Sequence, residues 1–253
     1  MALKMHTLIV GGTNGLGKEA VQQIAKKNRV VSVVGHHSKS NNLESGDQNV
    51  RFWYADISDT EKRIEMLNEI IDCNGRLNHL IFFQRYRGHG DSWNKELEIS
   101  LTATKYLIEY LSDKFVDKGQ KSVVMVSSVA AELIAREQDV GYHVAKAGMV
   151  QMARYYAVSL GKKNIRVNCI SPALVLKEAA KPYYEQHLEL KKLYETITPL
   201  GRMGSSRDVV NLIEFLCSSK ASFITGQNIV VDGGLTVQMQ SSLCAEHILN
   251  KER

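Results

Sequence analysis

Leu8-Ile9-Val10-Gly11-Gly12-Thr13-Asn14-Gly15-Leu16-Gly17 runs from an apolar tripeptide into a glycine-rich turn, and an amphipathic stretch follows at 18–27. The apolar run reads as a strand. The stretch after it reads as a helix, because its apolar residues recur at three- and four-residue spacing. Gly11, Gly15 and Gly17 therefore fall between a strand and a helix. In that context glycines permit a tight turn and a close approach of backbone to a pyrophosphate, whose charge suits the free amides and dipole of the helix start. The same residues also serve a strand-to-helix turn that holds nothing, so the rest of the chain has to decide.

Working outward, short β-branched runs alternate with longer amphipathic stretches. Strands are predicted at 7–10, 30–34, 50–54, 79–83, 122–126, 166–170 and 228–231, and helices at 18–27, 61–73, 98–115, 142–161 and 206–217. Such alternation predicts a parallel sheet with helices on both faces, an α/β doubly wound fold of about seven strands in three layers. With three prolines and no Pro/Gly/Ser-rich linker, residues 1–253 read as a single domain. Two segments break the rhythm. Residues 173–202 mix Lys, Glu and Tyr with apolar residues and read as a helical flap of the kind that covers substrates, and 237–253 reads as a C-terminal tail that packs on a neighbouring subunit or stays partly disordered.

Composition narrows the class further. An apolar share of 44% and a charged share of 23% are ordinary for globular proteins and exclude disordered and collagen-like chains. No apolar run approaches the roughly 18 residues of a membrane span, and residues 1–7 lack the pattern of a signal peptide, so a cytoplasmic location is expected. Cys73, Cys169, Cys217 and Cys244 form no CxxC pair and read as small buried hydrophobes, and no metal-ligand spacing is present, so no metal is expected. The net charge of +5 is mild and its cations are scattered, which argues against nucleic acid as a partner.

The chemistry concentrates in three places. At the end of the second strand, where an acid would accept bonds from adenosine ribose hydroxyls, the chain reads Val34-Gly-His-His-Ser-Lys39. With no acid there, His36, His37, Ser38 and Lys39 suit a 2′-phosphate, which favours NADP(H) over NAD(H). Asp56, after the third strand, is placed to touch the adenine or to cap a helix. Tyr142-His-Val-Ala-Lys146 sets a phenol and an ammonium four residues apart on one helix face, and the ammonium favours the phenolate. Ser128 follows the strand at 122–126, where such sheets open into a crevice. Each of these also has a plain reading, as a surface pair or a turn cap. Their convergence on one crevice is what gives them weight.

With these residues in view, the chain resembles the short-chain dehydrogenase/reductase family over roughly 7–236. The resemblance implies a Rossmann fold binding NAD(P), usually assembled as a homotetramer or homodimer, and a small-molecule carbonyl or alcohol substrate. It implies that Gly11, Thr13, Asn14, Gly15, Leu16 and Gly17 hold the diphosphate, with Asp56 and Ile57 on the adenine side. Ser128, Tyr142 and Lys146 match its catalytic set, and Ser171-Pro-Ala-Leu-Val175 resembles the segment that holds the nicotinamide carboxamide, which brings in Pro172 and Val175. Pro199-Leu-Gly-Arg-Met-Gly204 and Gly226-Gln-Asn-Ile-Val-Val-Asp-Gly-Gly234 resemble its C-terminal signature.

The match fails in two places. Phe82-Phe83-Gln84-Arg85 stands where the family has Asn-Asn-Ala-Gly, and Ser100 aligns with the asparagine that holds a water of the proton relay. Arg85 and Arg87, just beyond a strand end, suit bidentate binding of an anionic substrate or of cofactor phosphate, or else are solvated loop residues. The expected activity is NADP(H)-dependent carbonyl reduction or alcohol oxidation, with Tyr142 as general acid/base. The alternatives are an NADP-binding protein with little catalysis, or an epimerase or dehydratase on the same fold.

Overall fold

The structure, a computed structural model, describes residues 5–26, 29–36, 48–88 and 91–249. Its strands are β1 (His6–Val10), β2 (Val30–Gly35), β3 (Val50–Tyr54), β4 (His79–Phe82), β5 (Ser122–Val126), β6 (Arg166–Pro172), β7 (Val175–Leu176), β8 (Gly204–Ser205) and β9 (Asn228–Val231). Its helices are α1 (Gly15–Ala25), α2 (Thr60–Asn74), α3 (Ser92–Leu97), α4 (Ala103–Leu111), α5 (Val140–Ser159), α6 (Lys181–Gln186), α7 (Leu188–Ile197), α8 (Ser206–Cys217) and α9 (Gln240–Leu249).

Seven strands form one sheet in the order β3-β2-β1-β4-β5-β6-β9, every pair parallel. The direction of winding reverses between β1 and β4, and a crevice at the carboxyl ends of strands is expected at such a switch point. Central strands are buried on both faces, which is why they read as unbroken apolar runs. Alternate side chains separate the two layers. Leu8, Val10, Leu80, Phe82, Val123 and Met125 pack with α2, α4 and α5, whereas Ile9, Val33, Ile81, Val124 and Ile170 pack with α1 and α8. Each fully buried Leu, Ile or Phe contributes about 1.5–3 kcal/mol over its exposed state.

Three differences from the sequence-based expectation have physical causes. The third helical stretch begins at Ser92, capped by the Asp91 carboxylate, and passes through a five-residue π turn (Glu98–Thr102) before α4. That turn breaks the 3.6-residue period, so the apolar spacing exposed only the later part. Within the expected flap, α6 and α7 are helical, but Val175–Leu176 pairs in parallel with Gly204–Ser205 and ties the flap's two ends together. The cysteines divide: Cys169 and Cys217 are buried, whereas Cys73 and Cys244 are exposed, contrary to expectation, because they lie on outward faces of α2 and α9. Among the described residues no helix is long and apolar enough to cross a membrane, and no cluster of metal-ligating side chains occurs.

Candidate active site

The glycine turn closes against the end of β4. Gly11 has φ +82°, and a Cβ built there would lie 2.5 Å from the Gln84 nitrogen and 2.8 Å from the Phe83 carbonyl carbon. A Cβ at Gly17 would lie 2.2 Å from the Gly11 oxygen. Both positions therefore exclude any larger residue, and the turn binds β1, α1 and β4 into one unit. Gly15 is different: a Cβ there would meet only the Arg87 guanidinium at 3.6 Å and the Lys177 side chain at 3.9 Å. Helix α1 begins at this point without a side-chain cap from Asn14 and without an acid in its first turn. Its uncompensated amide end, with two cations beside it, fits a diphosphate.

Beside the turn lies a cavity of about 490 Å³, lined among others by Thr13, Asn14, His36, Asp56, Ile57 and Arg85. Thr13 is buried against Gly35 at the end of β2. The Asp56 carboxylate accepts bonds from the Ser58 amide (2.9 Å) and hydroxyl (2.7 Å) and stands 3.8 Å from His36 Nε2. Burial alone would raise its pKa, but the Ser58 bonds, with His36 and Lys95 nearby, hold it below the usual carboxylate range. Ile57 is buried in the core, and Leu16 packs on the α1 side of the sheet. His37, Ser38 and Lys39 lie outside the described residues.

Tyr142 and Lys146 share one face of α5, with the Lys146 nitrogen 5.5 Å from the phenol ring centroid. Lys146 is buried and donates to the Val126 carbonyl at the end of β5 (2.9 Å). Burial pushes its ammonium down to about 8; the charge of Glu96 opposes this, and Arg85 and Lys177 reinforce it. Ser127 donates to the Lys146 carbonyl (2.8 Å) and pins β5 to α5, whereas Ser128 is half-buried and caps a short turn, accepting from the Ala130 amide (3.1 Å). That turn packs on α5, so Ser128 does cap a turn and also stands beside the helix of Tyr142 and Lys146. His143 holds a loop: its Nε2 accepts from the Ala135 amide (3.0 Å) and its Nδ1 donates to the Asp139 carbonyl (3.0 Å).

Arg85 stands between the cavity and the phenol. It lines the cavity, its guanidinium lies 4.5 Å from the Tyr142 ring centroid, and it donates to Gln138 (3.2 Å). Arg87 and Lys177 are both lowered by burial and then by neighbouring cations, Arg85 acting on each. Arg87 and Lys177 thus gather at the start of α1 with the charge of Arg85 acting on both, an arrangement that repels itself and attracts an anion. Pro172 ends β6 buried, and Val175 packs on the α8 side of the sheet.

Comparison with known proteins gives this geometry its context. The family model described as enoyl-(acyl carrier protein) reductase matches residues 10–236. The chain belongs to the short-chain dehydrogenase/reductase family. A tropinone reductase homolog of Arabidopsis thaliana is 30% identical over 254 residues, covering 92% of this chain and 90% of its own length. Dehydrogenase/reductase SDR family member 4 of Rattus norvegicus is 27% identical over 241 residues, covering 90% of this chain and 85% of its own. A short-chain type dehydrogenase/reductase from Mycobacterium ulcerans superimposes with a TM-score of 0.81 at 25% identity, covering 94% of this chain and 92% of that one. ElxO with NADP bound is alike in fold, with a TM-score of 0.80 at 23% identity and 93% and 100% coverage. As a member of this family the chain is an NAD(P)-dependent oxidoreductase acting on a small molecule.

Within the family frame, the structure adds three residues that the sequence did not single out. Lys177 joins the two arginines. Gln84, buried, donates to Thr104 (2.6 Å) and leaves its own oxygen without a partner among the described residues. Glu96, also buried, accepts the hydroxyl of Ser100. Ser100 was expected to stand in for a water-holding asparagine, but its hydroxyl proton is committed to that carboxylate. An acid four residues from Ser100 was visible in the sequence, yet its burial depends on how α3 packs.

Proposed function

We propose that the protein is an NADP(H)-dependent carbonyl reductase or alcohol dehydrogenase in which Tyr142 is the general acid/base. The observation that carries this reading is the buried Lys146 ammonium beneath the Tyr142 ring, with Arg85 reaching from that ring to the cavity beside the glycine turn. When bound, the cofactor would supply hydride to, or accept it from, the substrate carbon. The rest of the chemistry falls to the protein. Gly11–Gly17 backbone, Arg87 and Lys177 would hold the diphosphate, His36 and the cations after it a 2′-phosphate, and Asp56 and Ile57 the adenine side. Pro172 and Val175 would support the nicotinamide amide.

Tyr142 would deliver its phenol proton to the substrate oxygen while Ser128 donates a hydrogen bond to the same atom. Lys146, on the same face of α5, would set its positive charge beside the phenol as the proton leaves. Arg85, stacked on Tyr142, meets whatever lies over the phenol, so an anionic group on the substrate is favoured. Residues 173–202, carrying α6 and α7, would cover the substrate, and one domain would hold the whole site. Exposed Tyr155 and Val158 on α5 and Tyr106 on α4 suit a helix-paired contact between subunits.

One observation favours a second reading, a cofactor-binding protein with little turnover: Arg85 sits over the phenol that should face substrate. A single experiment separates the two. Purified protein is incubated with NADPH or NADH and a panel of ketones, oxoacyl thioesters and oxo-acids while cofactor absorbance is followed, with Tyr142→Phe alongside. Oxidation faster with NADPH and lost in the variant supports the first reading. Tight NADPH binding by calorimetry without turnover of any carbonyl supports the second, and equal turnover by parent and variant removes Tyr142 from the mechanism.

A further inference from the structure

Helix α3, the π turn and α4 form one continuous helical stretch, and a polar seam runs along it. Thr104 donates to the Ser100 carbonyl (2.8 Å), Gln84 donates to the Thr104 hydroxyl (2.6 Å), and the Ser100 hydroxyl donates to Glu96 Oε1. Each member is buried. The stretch approaches α5 closely because Gly141 has no side chain: a Cβ there would lie 3.1 Å from the Trp93 Cα. Glu96 is one turn beyond Trp93, and Tyr142 follows Gly141. The packing therefore brings a carboxylate into the interior beside the helix that carries the phenol and the lysine.

A buried ammonium is costly unless an opposite charge or good acceptors meet it. Among the described residues Lys146 has one carbonyl and a thioether, Met149 Sδ at 3.8 Å, as acceptors. Among the described residues, the charged and titratable groups that act on it most are Glu96 from α3, Cys169 from β6, Arg85 after β4 and Lys177 after β7, with Tyr142 on its own helix. Glu96 is the carboxylate of that set, and Arg87 also feels its charge. The cations around the phenol would otherwise favour loss of the lysine's proton.

We propose that Glu96 is a positioning residue of the Tyr142–Lys146 pair: a buried counter-charge, anchored by the Ser100 hydroxyl, that keeps the lysine cationic in a crevice crowded with arginine. The arrangement gives the serine at position 100 a definite partner. A hydroxyl can donate to the carboxylate one turn earlier, whereas a water-holding side chain is not needed to keep the charge in place. This assignment rests on the proposed function for its catalytic consequence only. The charge relation between Glu96 and Lys146 is testable in the protein without cofactor.

The test is a titration by NMR of protein carrying carbon-13 lysine, with the Lys146 Cε resonance assigned by its loss in Lys146→Arg. In Glu96→Gln, which keeps the size and the acceptor for Ser100, the Lys146 midpoint is expected to fall by about one pH unit, a tenfold change in its protonation equilibrium. Glu96→Asp should restore most of the shift, and Ser100→Ala should produce a smaller fall. Melting curves and NADPH calorimetry on the same variants report folding. If Glu96→Gln is too unstable to titrate, Ser100→Ala alone decides the matter.

A Lys146 midpoint that stays put or rises in folded Glu96→Gln, or in Ser100→Ala where that variant decides, overturns the proposal. In parallel, the alkaline limb of kcat/KM for NADPH-dependent reduction should move to lower pH in Glu96→Gln and return in Glu96→Asp. Should the lysine midpoint shift while the parent reduces no carbonyl, the counter-charge stands and the reductase reading falls. If turnover is found but the midpoint is unmoved, the reverse holds.

Discussion

Replacing Gly11 by alanine tests the joint between cofactor turn and sheet, and its cost can be built from two parts. The first is conformational. At φ +82° an alanine side chain is strained by about 1–2 kcal/mol. The second is steric. The new Cβ would lie 2.5 Å from the Gln84 nitrogen, 2.8 Å from its Cα and 2.8 Å from the Phe83 carbonyl carbon, all backbone atoms that cannot rotate away. Forcing a methyl group into packed surroundings of this kind typically costs about 1–3 kcal/mol.

Their sum, about 2–5 kcal/mol, is a large part of the roughly 5–15 kcal/mol that holds a domain folded. Gly201→Ala separates the parts, because Gly201 has φ +66° with nothing within 4 Å of the added Cβ. Urea unfolding of both variants should show Gly11→Ala losing at least about 1 kcal/mol more than Gly201→Ala. The backbone shift would also move residues 83–88, which line the cavity, so NADPH affinity by calorimetry should fall about tenfold or more, each 1.4 kcal/mol being one decade. Equal destabilisation of the two variants would refute the steric argument, and unchanged NADPH affinity would refute the link from β4 to the cofactor cleft.

Three further expectations follow from other parts of the molecule. Tyr142→Phe should lower kcat by about 100- to 10,000-fold with little change in NADPH binding, the range for loss of a general acid; stopped-flow turnover and calorimetry check both halves. Arg85→Ala removes a cation that acts with burial to lower the Lys146 pKa, so the alkaline limb of the rate profile should move to higher pH, opposite in sign to Glu96→Gln. His79 is fully buried, donating or accepting at Ser122 (2.9 Å), and burial, aided by Arg29 and Arg166, pushes its pKa down to about 3. A folded pKa below the unfolded one means the native state excludes a proton. The stability this gives is complete above about pH 6.5 and is lost as pH falls from there toward 3, about 2 kcal/mol of it by pH 5. Urea midpoints between pH 7 and 5 should show that loss, and it should be absent in His79→Gln.

The sheet was legible because both of its faces are covered. β5, buried along its whole length, stood out as a β-branched apolar run at 122–126, and the partly buried edge strands at 50–54 and 228–231 were marked by their β-branched and aromatic residues, all three with the ends the structure shows. The helix that begins at Ser92 was harder to read. Its π turn interrupts the apolar period, and its first residues carry Trp93, exposed, and Glu96, buried, which is the reverse of what side-chain polarity suggests.

The residues of the candidate site divide in the same way. Gly17, Tyr142 and Lys146 were readable because their placement is local, a turn folded back on Gly11 and two side chains four apart on one helix, and Gly11 was readable from the glycine pattern although the atoms that exclude a Cβ there belong to the end of β4. Short spacing along a chain is enough to place such groups together. Where Arg85 points and which cations gather with Arg87 are relations between segments far apart in sequence, and the Ser100–Glu96 pair, though only four residues apart, is buried by the packing of α3. Arg85 reaches Gln138, Arg87 meets Lys177, and Glu96 acts on Lys146 through helix packing set by Gly141. The sequence by itself thus determined the parallel sheet, the glycine turn and the tyrosine–lysine pair, since periodicity and local backbone geometry encode them. Only the tertiary structure decided the charge around that pair, because Coulomb interactions depend on distances and burial that no stretch of sequence contains.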